Sequence, residues 1–458
     1  MTDTAHPGGY PGRSYAWTVV AILIATAVLS YTDRQVLSLL VDPIRAELHI
    51  TDNEVSLLLG TAFAVVYGIA GIPLGWLADR TSRRNLIFAG VLVWSVGTLA
   101  CGLSHSFGQL FAARIVVGTG EAVLSPAAIS LISDYFPPSR RGTAVGFFLS
   151  GIAMGIGVAI LIGGEVLHLV ERGVLAGTPL ASQPAWRLVL LMIGAPGLLW
   201  AFAILLIREP ARHTEAPGLA EPTRHANPAG LAEPASGARA PAAHPSWRST
   251  VMSRTVPVYL VVAMASLVDN AVGGWAPTLL MREFGKDPAE VGVQLGLVLT
   301  AGFGGGVLIG GWLADRGRWA YKLGVCLVSS LLILPVSLLI NVPQFNVVFL
   351  SVPLYFALSG TVTACGFSAI LDVVPNRSRG LAMAISFFLN VALGAGIGPT
   401  AVSQASEHVF GSSAGLGPAI TLTVAAGYAI AVAALLVALL RFRARADLPE
   451  AHRKGATQ

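Results

Sequence analysis

Charge is scarce in this sequence. Asp, Glu, Lys and Arg make up only 12% of its 458 residues, against roughly 25% in an average soluble domain, and so small a share cannot clothe a water-facing surface. Cysteine is nearly absent as well. Cys101, Cys326 and Cys365 lie far apart, each within an apolar stretch, so they offer neither a disulfide framework nor a metal-ligand spacing and read as small core residues. No Gly-x-x-x-x-Gly-Lys-Ser/Thr loop occurs, which argues against an ATP-driven pump. The histidines, at positions 6, 49, 105, 168, 213, 225, 244, 408 and 452, fall in loops, tails or span ends, which argues against imidazole catalysis inside a membrane. The expectation is a protein that is not an enzyme and uses no cofactor and no metal.

What the chain has in abundance is apolar sequence. Hydrophobic residues account for 54% of it, in runs of roughly 20, the length a helix needs to cross about 30 Å of hydrocarbon. The runs predict spans near 16–41, 54–78, 85–103, 107–133, 142–166, 186–208, 254–281, 290–313, 321–340, 346–371, 378–402 and 417–441, six on each side of a polar middle. No small-residue cleavage site closes a short apolar core at the start, so no cleaved signal peptide is expected. Of the 29 Lys and Arg, 22 fall in the termini and the loops on their side, which predicts cytoplasmic termini by the positive-inside rule. The formal charge of +5 is then a topology signal, and no nucleic-acid partner is needed to explain it.

An internal repeat organises these spans. Gly75-Trp76-Leu77-Ala78-Asp79-Arg80 recurs without change as Gly311-Trp312-Leu313-Ala314-Asp315-Arg316, and at the same offset of 236 Asp33 matches Asp269, Glu54-Val55 matches Glu290-Val291 and Leu59-Gly60 matches Leu295-Gly296. Because each unit holds an even number of spans, the two repeats run parallel about an axis along the membrane normal. The expected architecture is all-α: a six-helix bundle over 1–208, a disordered cytoplasmic linker over 209–253, rich in Ala and Pro, and a second six-helix bundle with a cytoplasmic tail over 254–458. Thr51 with Glu54, and Asp287 with Pro288 and Glu290, have the spacing of helix caps opening spans 2 and 8. The glycines of span 5, Gly151, Gly155, Gly157, Gly163 and Gly164, read as close helix packing.

The segment from Gly71 to Arg84, with its glycines, its Asp79-Arg80 pair and the basic Arg83-Arg84, resembles the loop signature of the major facilitator superfamily. Glycines let helices approach, an Asp at a helix end can bond neighbouring termini, and arginines anchor at an anionic leaflet. The resemblance implies a gate in which Asp79 helps lock the cytoplasmic side, with Arg80, Arg83, Arg84 and the second copy, Asp315 and Arg316, in the same role. Ser82 stands where the signature usually has Gly, and the second copy carries fewer basic residues.

Ionisable groups near a bilayer centre cost about 2.5–3.5 kcal/mol on insertion scales and are functional by default. The interior set is short: Asp33 and Arg34 in span 1, Arg114 and Glu121 in span 4, and Asp269 beside Asn270 in span 7. Arg114 and Glu121, two turns apart on one face, are expected to share a stripe facing the pathway, while adjacent Asp33 and Arg34 must point apart. The first-half charges cancel, as mutual pairing requires. Span 10, the counterpart of span 4, is uncharged from Ser351 to Leu371, and Arg34 becomes Asn270, so the fold itself does not demand the cluster.

Tyr31-Thr32-Asp33-Arg34, Arg114 with Gly118-Thr119-Gly120-Glu121-Ala122 and Ser125-Pro126, Pro137-Pro138-Ser139-Arg140-Arg141-Gly142, Trp186-Arg187 and Arg208-Glu209-Pro210 together resemble the spinster-like branch of that superfamily, over nearly the whole chain apart from the linker and tails. The resemblance implies proton-coupled alternating-access transport of a lysophospholipid or sphingolipid. In that reading Glu121, Asp33 and Asp269 carry protons, burial favouring the neutral form of Glu121 and a neighbouring arginine its charged form. Arg34, Arg114 and Asn270 hold the substrate, guanidinium geometry suiting phosphate or carboxylate. Two alternatives remain at this point, a proton-linked transporter of a small water-soluble organic anion and a non-transporting membrane sensor on the same scaffold. The expected partners are the small-molecule or lipid substrate, protons and membrane lipids, with the protein a monomer. An excess of 26 Arg over 3 Lys suggests a GC-rich genome and a bacterial inner membrane.

Overall fold

Backbone amides in hydrocarbon must be bonded within their own segment, so long apolar runs become helices. The computed structural model describes residues 10–210, 247–374, 379–411 and 415–446, and among these the regular structure is helical throughout. Ten helices are long and apolar enough to cross a membrane on their own. Span 5, Pro138–Glu171, and the bent span 11 bring the passages to the expected twelve. The first half contains span 1 (Arg13–Gln35), span 2 (Asp52–Ser56, Leu57–Thr61 and Ala62–Arg80), span 3 (Arg83–Gly102), span 4 (Phe107–Glu121 and Leu124–Tyr135), span 5 and span 6 (Ala185–Ile204). The second contains span 7 (Trp247–Phe284), span 8 (Pro288–Arg316), span 9 (Trp319–Leu338), span 10 (Phe345–Val373), span 11 (Arg379–Leu389, Asn390–Ala395 and Gly396–His408) and span 12 (Leu416–Ala446). Both expected caps form: Thr51 and Glu54 make a reciprocal capping box, and Asp287 accepts from the N–H groups of Ala289 and Glu290 ahead of Pro288. All three cysteines are buried and free.

The expected linker divides into three. Glu209 and Pro210 are tied to the first half, residues 211–246 lie outside the described residues, and the helix of span 7 already begins at Trp247, ahead of the expected boundary at 254. The tie is an ionic knot. Arg83, at the start of span 3, binds Asp134 at the end of span 4, reaches Glu209 Oε1 at 2.8 Å and donates to the Ser130 carbonyl at 3.2 Å. Glu209 also accepts from Ser82 at 3.0 Å and from the Arg84 backbone N–H at 2.9 Å. The second half repeats the device with Lys322, at the start of span 9, 2.6 Å from Asp372 at the end of span 10.

The two halves meet along two seams. In one, span 5 packs on span 8: a methyl at Gly164 would lie 2.6 Å from Val293 N, and one at Gly157 would lie 2.6 Å from the Gly296 carbonyl. Gly151, Gly155 and Gly163 instead face Ile24, Val28 and Val36 of the first half, so these glycines serve packing on two faces. In the other seam, span 2 packs on span 11 where each carries one wide π turn, Leu57–Thr61 and Asn390–Ala395. Gly60 leaves room there for the Ala395 carbonyl, and Thr61 Oγ1 donates to the Gly396 carbonyl at 2.9 Å.

The polar contacts that cross between halves gather at the end away from the termini. Arg282 of span 7 forms a fork into the first half, with Nη2 at 2.6 Å from Asp42 and Nη1 at 2.8 Å from Asp52, while Arg45 braces Asp52 at 3.1 Å. Asn53 binds Glu407, Ser56 meets Thr400 at 3.3 Å, and Thr278 donates to the Ser38 carbonyl at 3.3 Å. Toward the termini, the repeat tryptophans Trp76 and Trp312 are more than half exposed. Among the described residues, the ion pairs that join the halves lie at the end away from the termini.

Two outcomes follow from these contacts. Hydrogen bonds to charged groups contribute about 1.5–3 kcal/mol, discounted here because Asp42 is well exposed, so Arg282→Gln should move the population toward opening at the end away from the termini by about tenfold. Spin-label distances across that end measure it. Burial by itself would push the Glu209 carboxyl up, but the Arg84 N–H, the Arg83 and Ser82 side chains and the Arg83 charge outweigh it and hold the group below its ordinary 4.5. The knot's contribution is therefore fully present above that value and lost as pH falls through the lowered one. Glu209→Gln should reduce the melting temperature at neutral pH, and the deficit should shrink below about pH 4.5.

Candidate functional site

Arg34, near the end of the span 1 helix, reaches span 4. Its Nη2 lies 2.5 Å from Glu121 Oε2, with the arginine side chain 14% exposed and the glutamate 1%. Two rings flank the guanidinium, Phe63 with its centroid 3.7 Å from Cζ and Tyr31 at 4.9 Å. Aromatic rings at these distances favour a cation electrostatically. Phe63 is itself buried in a small cluster with Ala64 and, from the other half, Ala395, against which Tyr67 and Val391 pack. The ion pair thus adjoins the place where span 2 touches the π turn of span 11.

Glycines bring Glu121 there. A methyl at Gly120 would lie 2.6 Å from Trp94 N and 2.7 Å from the Gly90 carbonyl, and one at Gly118 would lie 3.2 Å from the Phe63 carbonyl. Span 4 consequently presses its backbone against spans 2 and 3, and its helix ends at Glu121 before resuming at Leu124.

Arg114 does not share this position. Sequence periodicity predicts that it lines the pathway with Glu121, but the side chain is 1% exposed; its Nε donates to the Leu58 carbonyl at 3.1 Å and its Nη1 to the Asp33 carbonyl at 3.4 Å. The physical reason is the π turn of span 2, which releases a main-chain acceptor inside the bundle that needs a donor. Nor do Asp33 and Arg114 pair through the carboxylate as mutual neutralisation would require. Asp33 Oδ1 is buried without a hydrogen-bond partner, as are Arg34 Nε, Arg114 Nη2 and Glu121 Oε1. These four atoms belong to spans 1 and 4.

In the second half Asp269 points into its own bundle, half-buried, and accepts from the Tyr355 hydroxyl at 2.8 Å. Asn270 turns the other way, toward span 11: its Nδ2 donates to the Ser266 carbonyl at 2.9 Å, and Ser266 Oγ donates to the Asn390 carbonyl of the second π turn at 3.0 Å. Asn270 also crowds Gly394 and Gly398.

The expected gate residues separate into three groups. Arg83 and Arg84 belong to the knot within the first half, so a cross-half lock is not what they form here; the initiation of span 3 beside Glu209 directs them inward. Arg80 and Arg316 fold over their own repeat tryptophans, 4.0 Å from the Trp76 ring and 3.2 Å from the Trp312 ring, and are exposed together with Asp315 at the termini end. The side chain of Asp79 lies outside the described residues. The residues that do join the halves, Asp42, Asp52 and Arg282, were not singled out by sequence; their only signal was charge close to predicted span ends.

The sequence profile of the Major Facilitator Superfamily matches residues 23–399. The chain is 28% identical over 454 residues to an MFS-type efflux pump of Mycolicibacterium smegmatis, covering 96% of both. It is 28% identical to a probable L-galactonate transporter of Escherichia coli over 68% of this chain and 64% of that protein, and 32% identical to protein spinster of Drosophila melanogaster over 44% and 31%. In three dimensions it is similar to the crystal structure of a bacterial homologue of the human lysosomal transporter Spinster, in an inward-facing and occupied conformation, with a TM-score of 0.71 at 24% identity, covering 94% of this chain and 96% of that one.

Replacing Arg114 by Met should leave the Leu58 carbonyl unsatisfied and lower stability by about 1–3 kcal/mol, read as a drop in the detergent melting temperature. Ligand affinity of the remaining folded protein should be unchanged, which distinguishes a structural tie from a binding residue.

Proposed function

Since the chain belongs to the Major Facilitator Superfamily and is a multi-pass membrane transporter by fold, we propose that it is a proton-coupled secondary transporter that works by alternating access on a lipid with an anionic or zwitterionic headgroup. The observation that carries this reading is the 2.5 Å pair of Arg34 and Glu121 beside the contact between halves. An arginine and a carboxylate at about 4 Å attract by about 4 kcal/mol at an effective dielectric of 20, before desolvation is subtracted. Protonation of Glu121 removes most of that attraction and frees the Arg34 fork. Phosphate or carboxylate then takes the place of the glutamate.

Asp33, one residue from Arg34 and buried with an unpartnered oxygen, is the second proton carrier in this reading. With cytoplasmic termini in a bacterial inner membrane, the Arg282 fork closes the outside. Likeness to spinster proteins supports a lipid substrate, and likeness to an L-galactonate transporter supports its rival, a water-soluble organic acid. A thermal-shift panel in detergent discriminates: lysophospholipid or sphingoid-base phosphate should stabilise the protein and sugar acids should not.

In proteoliposomes Glu121→Gln should reduce pH-gradient-driven transport at least tenfold while leaving substrate exchange at equal pH, whereas Arg34→Ala should abolish both. Full gradient-driven transport by Glu121→Gln would remove that residue from the coupling role.

A further inference from the structure

Asp269 is the single Asp, Glu, Lys, Arg or His in span 7 between Val256 and Met281, and the stretches of spans 8 to 12 at its depth contain none. Its surroundings are hydroxyls. Tyr355 donates to Asp269 Oδ1 at 2.8 Å, the Tyr428 hydroxyl donates to Ser359 Oγ at 3.0 Å, and Ser359 neighbours the carboxyl. Tyr355, Ser359 and Tyr428 are fully buried, while the aspartate keeps a half-buried edge. Span 10 therefore contributes Tyr355 and Ser359, and span 12 contributes Tyr428. Among the described residues, spans 8 and 11 place their charges, Glu290, Asp315, Arg316 and Glu407, at helix ends, and span 9 brings only the Cys326 thiol, behind Tyr428.

We propose that Asp269, Tyr355, Ser359 and Tyr428 form a second proton-binding site, housed in the half that lacks the Arg34–Glu121 pair. Hydroxyls both donate and accept. With the carboxylate charged, Tyr355 donates to it, as seen, and the Ser359 hydroxyl is the neighbouring donor. With the carboxyl protonated, its new O–H donates to one of the same oxygens after a rotation about a single C–O bond, with no heavy atom displaced. A lysine or arginine partner would instead hold the group charged in both situations. The step is a simple proton transfer: hydronium in the water of the cleft gives its proton to a carboxylate oxygen at the half-buried edge, an O–H bond forms and water remains. Repeat symmetry places Asp33 at the corresponding position of the first half, so each bundle carries one such acid just behind its pathway-facing residue, Arg34 or Asn270. The use of this proton in coupling rests on the transporter reading above; its binding does not.

The test therefore uses no substrate. Infrared difference spectra of the full-length protein in lipid, recorded between pH 5 and pH 9, follow the carboxyl C=O band. Asp269→Asn should lose one titrating carboxyl component that Glu121→Gln retains. Tyr355→Phe, which preserves the ring, should move the midpoint of that component by about one pH unit, a tenfold change in proton affinity. Spectra of Asp269→Asn identical to the parent across the range, or an unmoved midpoint in Tyr355→Phe, would overturn the site. Should the Asp269 component titrate while Glu121→Gln transports normally, only the transporter mechanism fails.

Discussion

A guanidinium and a carboxylate share one hydrogen bond in the interior of an apolar protein, and much of the first half is arranged to make that tolerable. Arg34 lies against the rings of Phe63 and Tyr31, and Glu121 is delivered by a helix whose glycines let it sink against its neighbours. Each charge needs the other, because either alone would be an uncompensated ion away from water. In the proposed function, that mutual dependence is what a proton acts on. Neutralising one member changes the demands of the second, and Phe63 lies between the second and the opposing bundle.

Much of this architecture was legible in the sequence because it rests on period and repetition. Apolar runs of spanning length gave the passages, and the duplicated Gly-Trp-Leu-Ala-Asp-Arg gave the two halves. Charge at mid-span gave Arg34, Glu121 and Asp269, since ions are rare enough there to stand out. The caps at Thr51 and Asp287 followed from local spacing alone.

What could not be read depends on geometry that leaves no periodic trace. A π turn is one extra residue in a helix, invisible to a hydrophobic pattern, yet the turn at Leu57–Thr61 decides that Arg114 ties backbone instead of facing the pathway. Lys322 with Asp372 repeats Arg83 with Asp134, but the offset has drifted and Lys replaces Arg, so alignment by identity misses it. Asp42, Asp52 and Arg282 look like ordinary loop charges until the chain brings span 7 over the end of span 1. Glu209 reads as the first residue of a polar linker and is instead a structural anchor, because three donors converge on it.

The seams are unequal. Where span 5 crosses span 8, glycine backbones touch with almost nothing between them, and such an interface can pivot but cannot stretch. Where span 2 crosses span 11, each helix is already loosened by its π turn, with threonine hydroxyls bonding across. Side-chain mass is excluded from the first seam, whereas exchanging the Thr61 hydroxyl for a methyl would strip the second of a donor to main chain.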